Sequence, residues 1–226
     1  MSRATIDKHR AEQVFESGVS YPGLLVTIVG FDGSGKTTQI EALGERFRRE
    51  GREVVETRQP SDWYRSETAV QHFHAAGGSE QRARFLALFA AADRLRHVQE
   101  TIIPALERGA VVLCDRYVYA TFGVFVHRGV DLDFLVTINA GIPRPDYAFY
   151  LDLPVAALLA RLRARDGNDL KFEERSAARV ESITRVYHEL GDLLIRVDGT
   201  QQAHVVTEQL WSLTGAGVKP VRSASA

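Results

Sequence analysis

Four residues at fixed spacing carry the first chemical signal: Gly30, Gly35, Lys36 and Thr37, in the stretch GFDGSGKTT, satisfy G-x-x-x-x-G-K-[ST]. Glycines in such a loop let backbone N–H groups curl around phosphate oxygens, and the helix that follows turns its positive N-terminus to the same anion. Gly30, Gly33, Ser34, Gly35, Lys36, Thr37 and Thr38 are therefore the candidate triphosphate-binding residues. Lys36 brings a mobile cation to the β- and γ-phosphates, and the Thr37 hydroxyl is a candidate Mg²⁺ ligand. An apolar run, Leu24 to Val29, stands directly before the motif, as a buried strand feeding a phosphate loop should. The bland alternative is a glycine-rich turn ahead of a surface helix.

Further charged residues sit where apolar runs end. Ala110 to Cys114 reads as a strand that stops at Asp115-Arg116-Tyr117. An aspartate there can hold Mg²⁺ or its water, and the following arginine can clamp a transferring phosphoryl group; a salt-bridged strand end is the structural alternative. Arg58 stands at the carboxyl end of another strand, where open α/β sheets bind ligands. Between 161 and 175, Arg161, Arg163, Arg165, Lys171 and Arg175 surround the breaker Asp166-Gly167-Asn168-Asp169. That is the composition of a cationic lid that excludes water from a phosphoryl group, or else of a solvated charged loop. A long helix from Ser79 to about Arg108, divided by Pro104, carries an apolar stripe of Phe85, Leu88, Phe89, Ala92, Leu95 and Val98. Asp93 and Arg94 interrupt the stripe, as a buried ion pair or as a substrate-facing arginine. His72 and His74 read as solvated or locally hydrogen-bonded imidazoles, because no cysteine or carboxylate grouping completes a metal site.

The elements that must position these groups alternate regularly. Strands are predicted at 24–29, 53–57, 110–114, 147–151 and 193–197. Helices are predicted at 36–50, 79–108, 118–127, 130–140, 154–165, 174–190 and 202–213, with 62–78 less regular. This alternation describes one mostly parallel, three-layer α/β domain. Residues 1–22 form an arm that is either a short helix or mobile, 23–213 the domain, and 214–226 a flexible tail. A formal net charge of -1 argues against a broad grip on polymeric nucleic acid or on an anionic membrane. The single cysteine, Cys114, reads as a buried strand thiol, and with no apolar signal segment or membrane span in view the expected setting is cytoplasmic.

Several of these islands together resemble the thymidylate kinase family, a branch of the P-loop nucleoside monophosphate kinases. They are the loop with Asp32, Thr57-Arg58-Gln59-Pro60, Leu88 to Arg94, Asp115-Arg116-Tyr117, Leu135 to Asn139, Pro145-Asp146 and Leu151 to Pro154. The resemblance spans 24–213. It implies strand order 2-3-1-4-5, a homodimer packed through long helices, ATP and Mg²⁺ as cofactors, and a nucleoside monophosphate as substrate. It implies Asp32 near the acceptor phosphate and metal, Arg58 on that phosphate, and Arg94 reaching the base. With Gly33 next to the loop aspartate, family members of this type supply catalytic arginine from the lid. Arg161 and Arg165 would then serve adenine stacking and phosphate stabilisation, beside Lys36 and Arg116, and Lys171 stands where an arginine is usual. Gln59 replaces the usual glutamate. Phe89 lies five residues before Arg94 rather than four, leaving Ala90 at the stacking position, so Phe122 or Phe125 can stack instead. Gly123-Val124-Phe125 stands for the usual alanine-tyrosine-glutamine. The implied reaction is dTMP to dTDP; the alternatives are another nucleotide, nucleoside or small metabolite as acceptor, and a non-catalytic triphosphate-binding regulator.

Overall fold

The computed structural model describes residues 6–214. It opens with α1 (Lys8–Glu12), capped by Asp7, whose carboxylate accepts from the backbone N–H groups of His9 and Arg10. Phe15 then makes a parallel bridge with Ile142. Ile6, Ala11, Val14 and Phe15 are buried, so the described part of the arm is packed onto the domain.

β1 (Leu24–Val29) runs into the phosphate loop, and Gly35, at φ 96°, delivers the chain into α2 (Lys36–Arg49). Only glycine adopts that backbone cheaply. Ile40, Leu43 and Phe47 are the buried face of α2, as their helical spacing predicts. β2 (Val54–Arg58) follows, and the region read as irregular holds two short helices, α3 (Asp62–Arg65) and α4 (Thr68–Ala76), started by side-chain caps from Ser61 and Glu67. The long helix predicted next is in three parts. α5 (Glu80–His97) begins at a Ser79 cap, a π-helical turn covers Val98–Ile102, and α6 (Ile103–Glu107) carries Pro104 in its first turn, where a missing N–H costs nothing.

The face that α5 buries is not its apolar stripe. Ala83, Leu86, Ala87, Ala90, Asp93, Arg94 and His97 point inward, whereas Phe85, Leu88 and Leu95 are 52%, 47% and 39% exposed. Asp93 and Arg94 therefore lie opposite the stripe rather than within it.

β3 (Val111–Asp115) leads to α7 (Tyr117–His127) and α8 (Leu132–Ile138). β4 (Tyr147–Asp152), α9 (Val155–Asp166), α10 (Ala177–Glu189), β5 (Ile195–Asp198) and α11 (Ala203–Thr214) complete the described chain. The sheet order is β2-β3-β1-β4-β5, as expected, and each neighbouring pair is parallel. β1, β3 and β4 are buried almost along their whole length, which is why they read as unbroken apolar runs. Register aligns Ile28, Asp115 and Arg58 across three strands, so polar side chains emerge together at the carboxyl edge, beside the phosphate loop. The later landmarks are structural ties: Asp146 accepts from the Leu25 N–H at 2.9 Å, and Tyr117 donates its hydroxyl to the Pro143 carbonyl at 2.9 Å. Among the described residues no helix is long and apolar enough to cross a membrane.

Candidate active site

Asp32, inside the loop, collects cations from three directions. Arg116 pairs with its Oδ1, Lys171 reaches Oδ2 at 2.9 Å, and Lys36 stands 3.7 Å from Oδ1 while donating to the Phe31 carbonyl at 3.0 Å. Burial alone would raise the Asp32 pKa, but Arg116, Lys36 and Lys171 hold it well below the usual carboxylate range. Burial, reinforced by Arg116, pushes the Lys36 ammonium down to about 8 against the pull of Asp32 and Asp115. Arg116 is held firmly charged: burial opposes its charge, and Asp32 and Asp115 more than offset that.

The chain bends sharply to put Arg116 there. Arg116 and Tyr117 have φ of 80° and 57°, a region that costs an ordinary residue on the order of 1–3 kcal/mol. Contacts offset the strain: the Arg116 N–H donates to Ile28 at 2.9 Å, and its side chain crosses to the loop. On the other side of the loop, Gly33 sits against α9, where an added Cβ would stand 3.4 Å from the Leu158 carbonyl and 3.6 Å from the Arg161 Cβ. Arg161 spans from this point to the turn after β5, donating to the Gly199 carbonyl at 3.2 Å.

Asp115 Oδ1 is buried and has no hydrogen-bond partner, and the same holds for Ser34 Oγ. A buried carboxylate oxygen left without a donor at the end of β3, and the Thr37 hydroxyl in the first turn of α2, are oxygens of the hard kind that Mg²⁺ takes. These residues fit the ion. Among the described residues no group of three or more His, Cys, Asp or Glu could cage a metal, so most ligands of such an ion would be phosphate and water oxygens.

Beside the cation cluster opens a pocket whose near end is charged and whose far end is apolar. Asp32, Arg65, Arg116 and Lys171 mark the near end, and Ala120, Val124, Phe125, Ile183 and Tyr187 line the walls. Arg116, Ala120, Val124 and Arg128 follow one face of α7 at helical spacing. Gly123 lets Tyr187 of α10 close the wall: an added Cβ at 123 would stand 2.7 Å from the Tyr187 ring. At the far side Arg128 donates to Glu173 Oε1 through Nε at 2.8 Å and lies over the Phe73 ring. His74 faces the same space; burial, then Arg128 and Lys171, push its pKa down to about 4, so it is neutral at neutral pH.

Not every residue predicted for the site lies at this pocket. Asp32, Lys36, Arg116 and Lys171 are brought together, Arg161 borders the loop, and Phe125 lines the pocket. Arg58 instead pairs with Asp62 on the surface, and Arg165 is engaged by Asp166 at 2.7 and 2.6 Å. Phe89 packs against Trp63 and Tyr64, and Phe122 is enclosed in the core. Arg94 is 1% exposed, and Asp93 is not its partner: the carboxylate accepts from Ser61. Tyr64, Arg65, His74, Thr121, Arg128, Glu173, Glu174 and Tyr187 line the pocket without having been singled out for it. Arg128 had a readable signal, the four-residue spacing from Arg116 along one helix. His74, read as a solvated or locally bonded imidazole, is instead drawn into the pocket when the lid backbone binds α4, Phe172 N–H donating to the His74 carbonyl at 2.7 Å.

A parallel sheet in this order, with a G-x-x-x-x-G-K-[ST] loop after its central strand and a cationic lid segment, defines a P-loop phosphotransferase. Residues 28–210 match the thymidylate kinase family, and the chain belongs to it. A probable thymidylate kinase of Pyrococcus abyssi is 42% identical over 155 residues, covering 67% of this chain and 75% of the relative. The thymidylate kinase of Geobacter sulfurreducens is 40% identical over 68% of this chain and 74% of its own length. That of Exiguobacterium is 30% identical over 85% and 94%. The activity is that of a thymidylate-kinase-like phosphotransferase acting on a nucleoside monophosphate, and use of ATP and Mg²⁺ is typical of the family.

Proposed function

We propose that the chain transfers the γ-phosphoryl group of ATP to dTMP, giving dTDP and ADP. The observation that carries this reading is the convergence of Arg116, Lys36 and Lys171 on Asp32, between the phosphate loop and a pocket of mixed charged and apolar character. Three cations from α7, α2 and the lid segment meet where two phosphate groups would face each other. The loop residues Gly30, Gly33, Ser34, Gly35, Lys36, Thr37 and Thr38 bind the triphosphate through backbone N–H groups and the Lys36 charge. Thr37 and Asp115 would hold Mg²⁺, which would neutralise negative charge on the phosphate oxygens.

The acceptor phosphate is already ionised, so no strong general base is needed. Arg116 stabilises the charge that spreads over the transferring group, and Lys171 and Arg161 add positive charge from the lid. Asp32 keeps these cations in place before substrate arrives and orients the acceptor. Arg58 and Arg65 are the remaining candidates for the acceptor phosphate; Arg165 joins only if the lid turns it away from Asp166. Phe125, with Tyr64 and Tyr187, encloses the base. Residues 161–175 act as the lid of a kinase domain spanning 23–213, the tail at 214–226 lies outside the described residues except for Thr214, and the setting is cytoplasmic. Two copies pair through the outward stripe of α5.

The test is ADP release with ATP, Mg²⁺ and a panel of nucleoside monophosphates and nucleosides. Fastest release with dTMP supports the proposal. Faster release with another acceptor replaces dTMP, and triphosphate binding without acceptor-dependent release removes the catalytic reading.

A further inference from the structure

We propose that the N-terminal arm is a positioning element for Arg116, acting through the turn at 141–144 and through Tyr117. This rests on the phosphoryl-clamp role of Arg116 given above. The arm lies outside residues 28–210, the part matched to the family, and none of its described residues lines the pocket. It is nevertheless fastened at both ends. At its start the Ile6 N–H donates to Glu189 Oε2 at 3.0 Å and Lys8 pairs with Asp192 at 2.8 Å, both at the end of α10. At its end Val14 is fully buried and Phe15 nearly so, and what they hold is the turn between α8 and β4. The Val14 carbonyl accepts from the N–H groups of Gly141 at 3.0 Å and Ile142 at 3.4 Å, and the Glu16 N–H donates to the Ile142 carbonyl at 2.9 Å. Arg144 pairs with Glu12 and lies over the Phe15 ring, 5.3 Å from its centre.

The same turn carries the acceptor for Tyr117. Pro143 offers its carbonyl to the Tyr117 hydroxyl at 2.9 Å, and Tyr117 is wholly buried. Arg116 and Tyr117 both have positive φ, and residues other than glycine stay in that region only where their surroundings over-determine them. The Arg116 N–H on Ile28 and its side chain on Asp32 fix one end of the strained pair. The Tyr117 hydroxyl fixes the other end, and its acceptor is held in turn by the arm. Phe15 also packs against Tyr119, with ring centres 5.8 Å apart, so the arm bears on the first turn of α7 at a second point. If the turn shifted by about 1 Å, the Tyr117 ring would follow it, and the guanidinium would leave the line of the transferring phosphoryl group.

The experiment measures kcat, and KM for ATP and for dTMP or whichever acceptor of the panel above replaces it, in Phe15→Ala, Tyr117→Phe and the double variant, each shown to be folded by circular dichroism. Phe15→Ala should lower kcat roughly tenfold with both KM values within about threefold of wild type, because Arg116 acts in the transition state. Tyr117→Phe loses only the hydroxyl and should lower kcat as well. The double variant should fall no further than the lower of the two singles, since both cut one link. Phe15→Leu, which refills most of the site, should recover kcat. Leu210→Ala, a core truncation in α11, should leave kcat unchanged; an equal loss there makes the effect one of general stability and overturns the inference. If Phe15→Ala fails to fold, Arg144→Gln, which removes the Glu12 pair and the cover over Phe15, carries the same test. Wild-type kcat in the folded arm variant, or additive losses in the double variant, overturns the route through Tyr117 and leaves the kinase reading standing. Unchanged turnover in Arg116→Ala removes the clamp reading and this inference with it.

Discussion

Lys171 and Asp32, separated by 139 positions in the chain, meet at 2.9 Å and join the lid segment to the phosphate loop. The lid is held from its other side as well: Arg175 donates to the Ala75 carbonyl at 2.9 Å and Phe172 to the His74 carbonyl at 2.7 Å. Lys171→Gln removes the loop contact while leaving the α4 contacts in place. Hydrogen exchange of the ligand-free protein should then show weaker amide protection across 167–175, and kcat should fall by about 10²-fold, the usual scale for one charge aimed at a transition state. Unaltered protection with unaltered turnover would remove Lys171 from both roles.

Arg116 is placed by strained backbone after β3 and by its pairing with the loop carboxylate Asp32, and it is not part of the loop backbone that binds the triphosphate. Arg116→Ala should therefore lower turnover by ~10²- to 10³-fold while titration calorimetry still detects binding of a non-hydrolysable ATP analogue. Turnover within threefold or so of wild type would remove the phosphoryl-clamp role.

Lys36, whose pKa is pushed down to about 8, gives the ligand-free enzyme an alkaline limit. Raising the pH through that value removes the ammonium charge, so kcat/KM for ATP should decline above about pH 8. Bound phosphate favours the charged form, so the corresponding limb of kcat should lie at higher pH. Lys36→Arg stays charged throughout and should abolish the limb, whatever its absolute rate. A limb that persists in Lys36→Arg belongs to another group.

Phe85, Leu88 and Leu95 form an apolar face that α5 presents to solvent. Leu88→Glu should shift the light-scattering mass from two chains to one, with the thermal midpoint of the single chain little changed, because the substituted position is not in the core. A wild-type mass of one chain would withdraw the pairing.

Strands were legible wherever burial on both sheet faces leaves no room for polar side chains, as at 24–29, 110–114 and 147–151. The end of 110–114 then locates Asp115, because an apolar run stops at a charge where the buried part of the sheet ends; Arg58 follows a half-buried strand, VVETR, that is legible by its β-branched residues instead. Side-chain direction was less accessible. The large apolar residues of α5 look like a core stripe, yet packing against the neighbouring helices selects the alanine face, since small side chains let backbones approach closely. That choice takes Phe89 out of the pocket and sends Arg94 into the interior. The lid's contacts depend on how the turn after α9 lies against α4, which is long-range packing and leaves no local periodicity. Arg65, His74 and Glu173 reach the pocket only through it.

The near-contact of Gly123 with Tyr187 has a consequence for engineering the enzyme. With an added Cβ at 123 only 2.7 Å from the ring, the α7 side of the cavity has no slack, and even Gly123→Ala must displace Tyr187 or part the two helices. Room for a bulkier, unnatural base comes from shortening a side chain that lines the cavity, and Tyr187 of α10 is the one that Gly123 leaves space for. Position 187 is thus the adjustable gauge of the cavity, and position 123 its fixed stop.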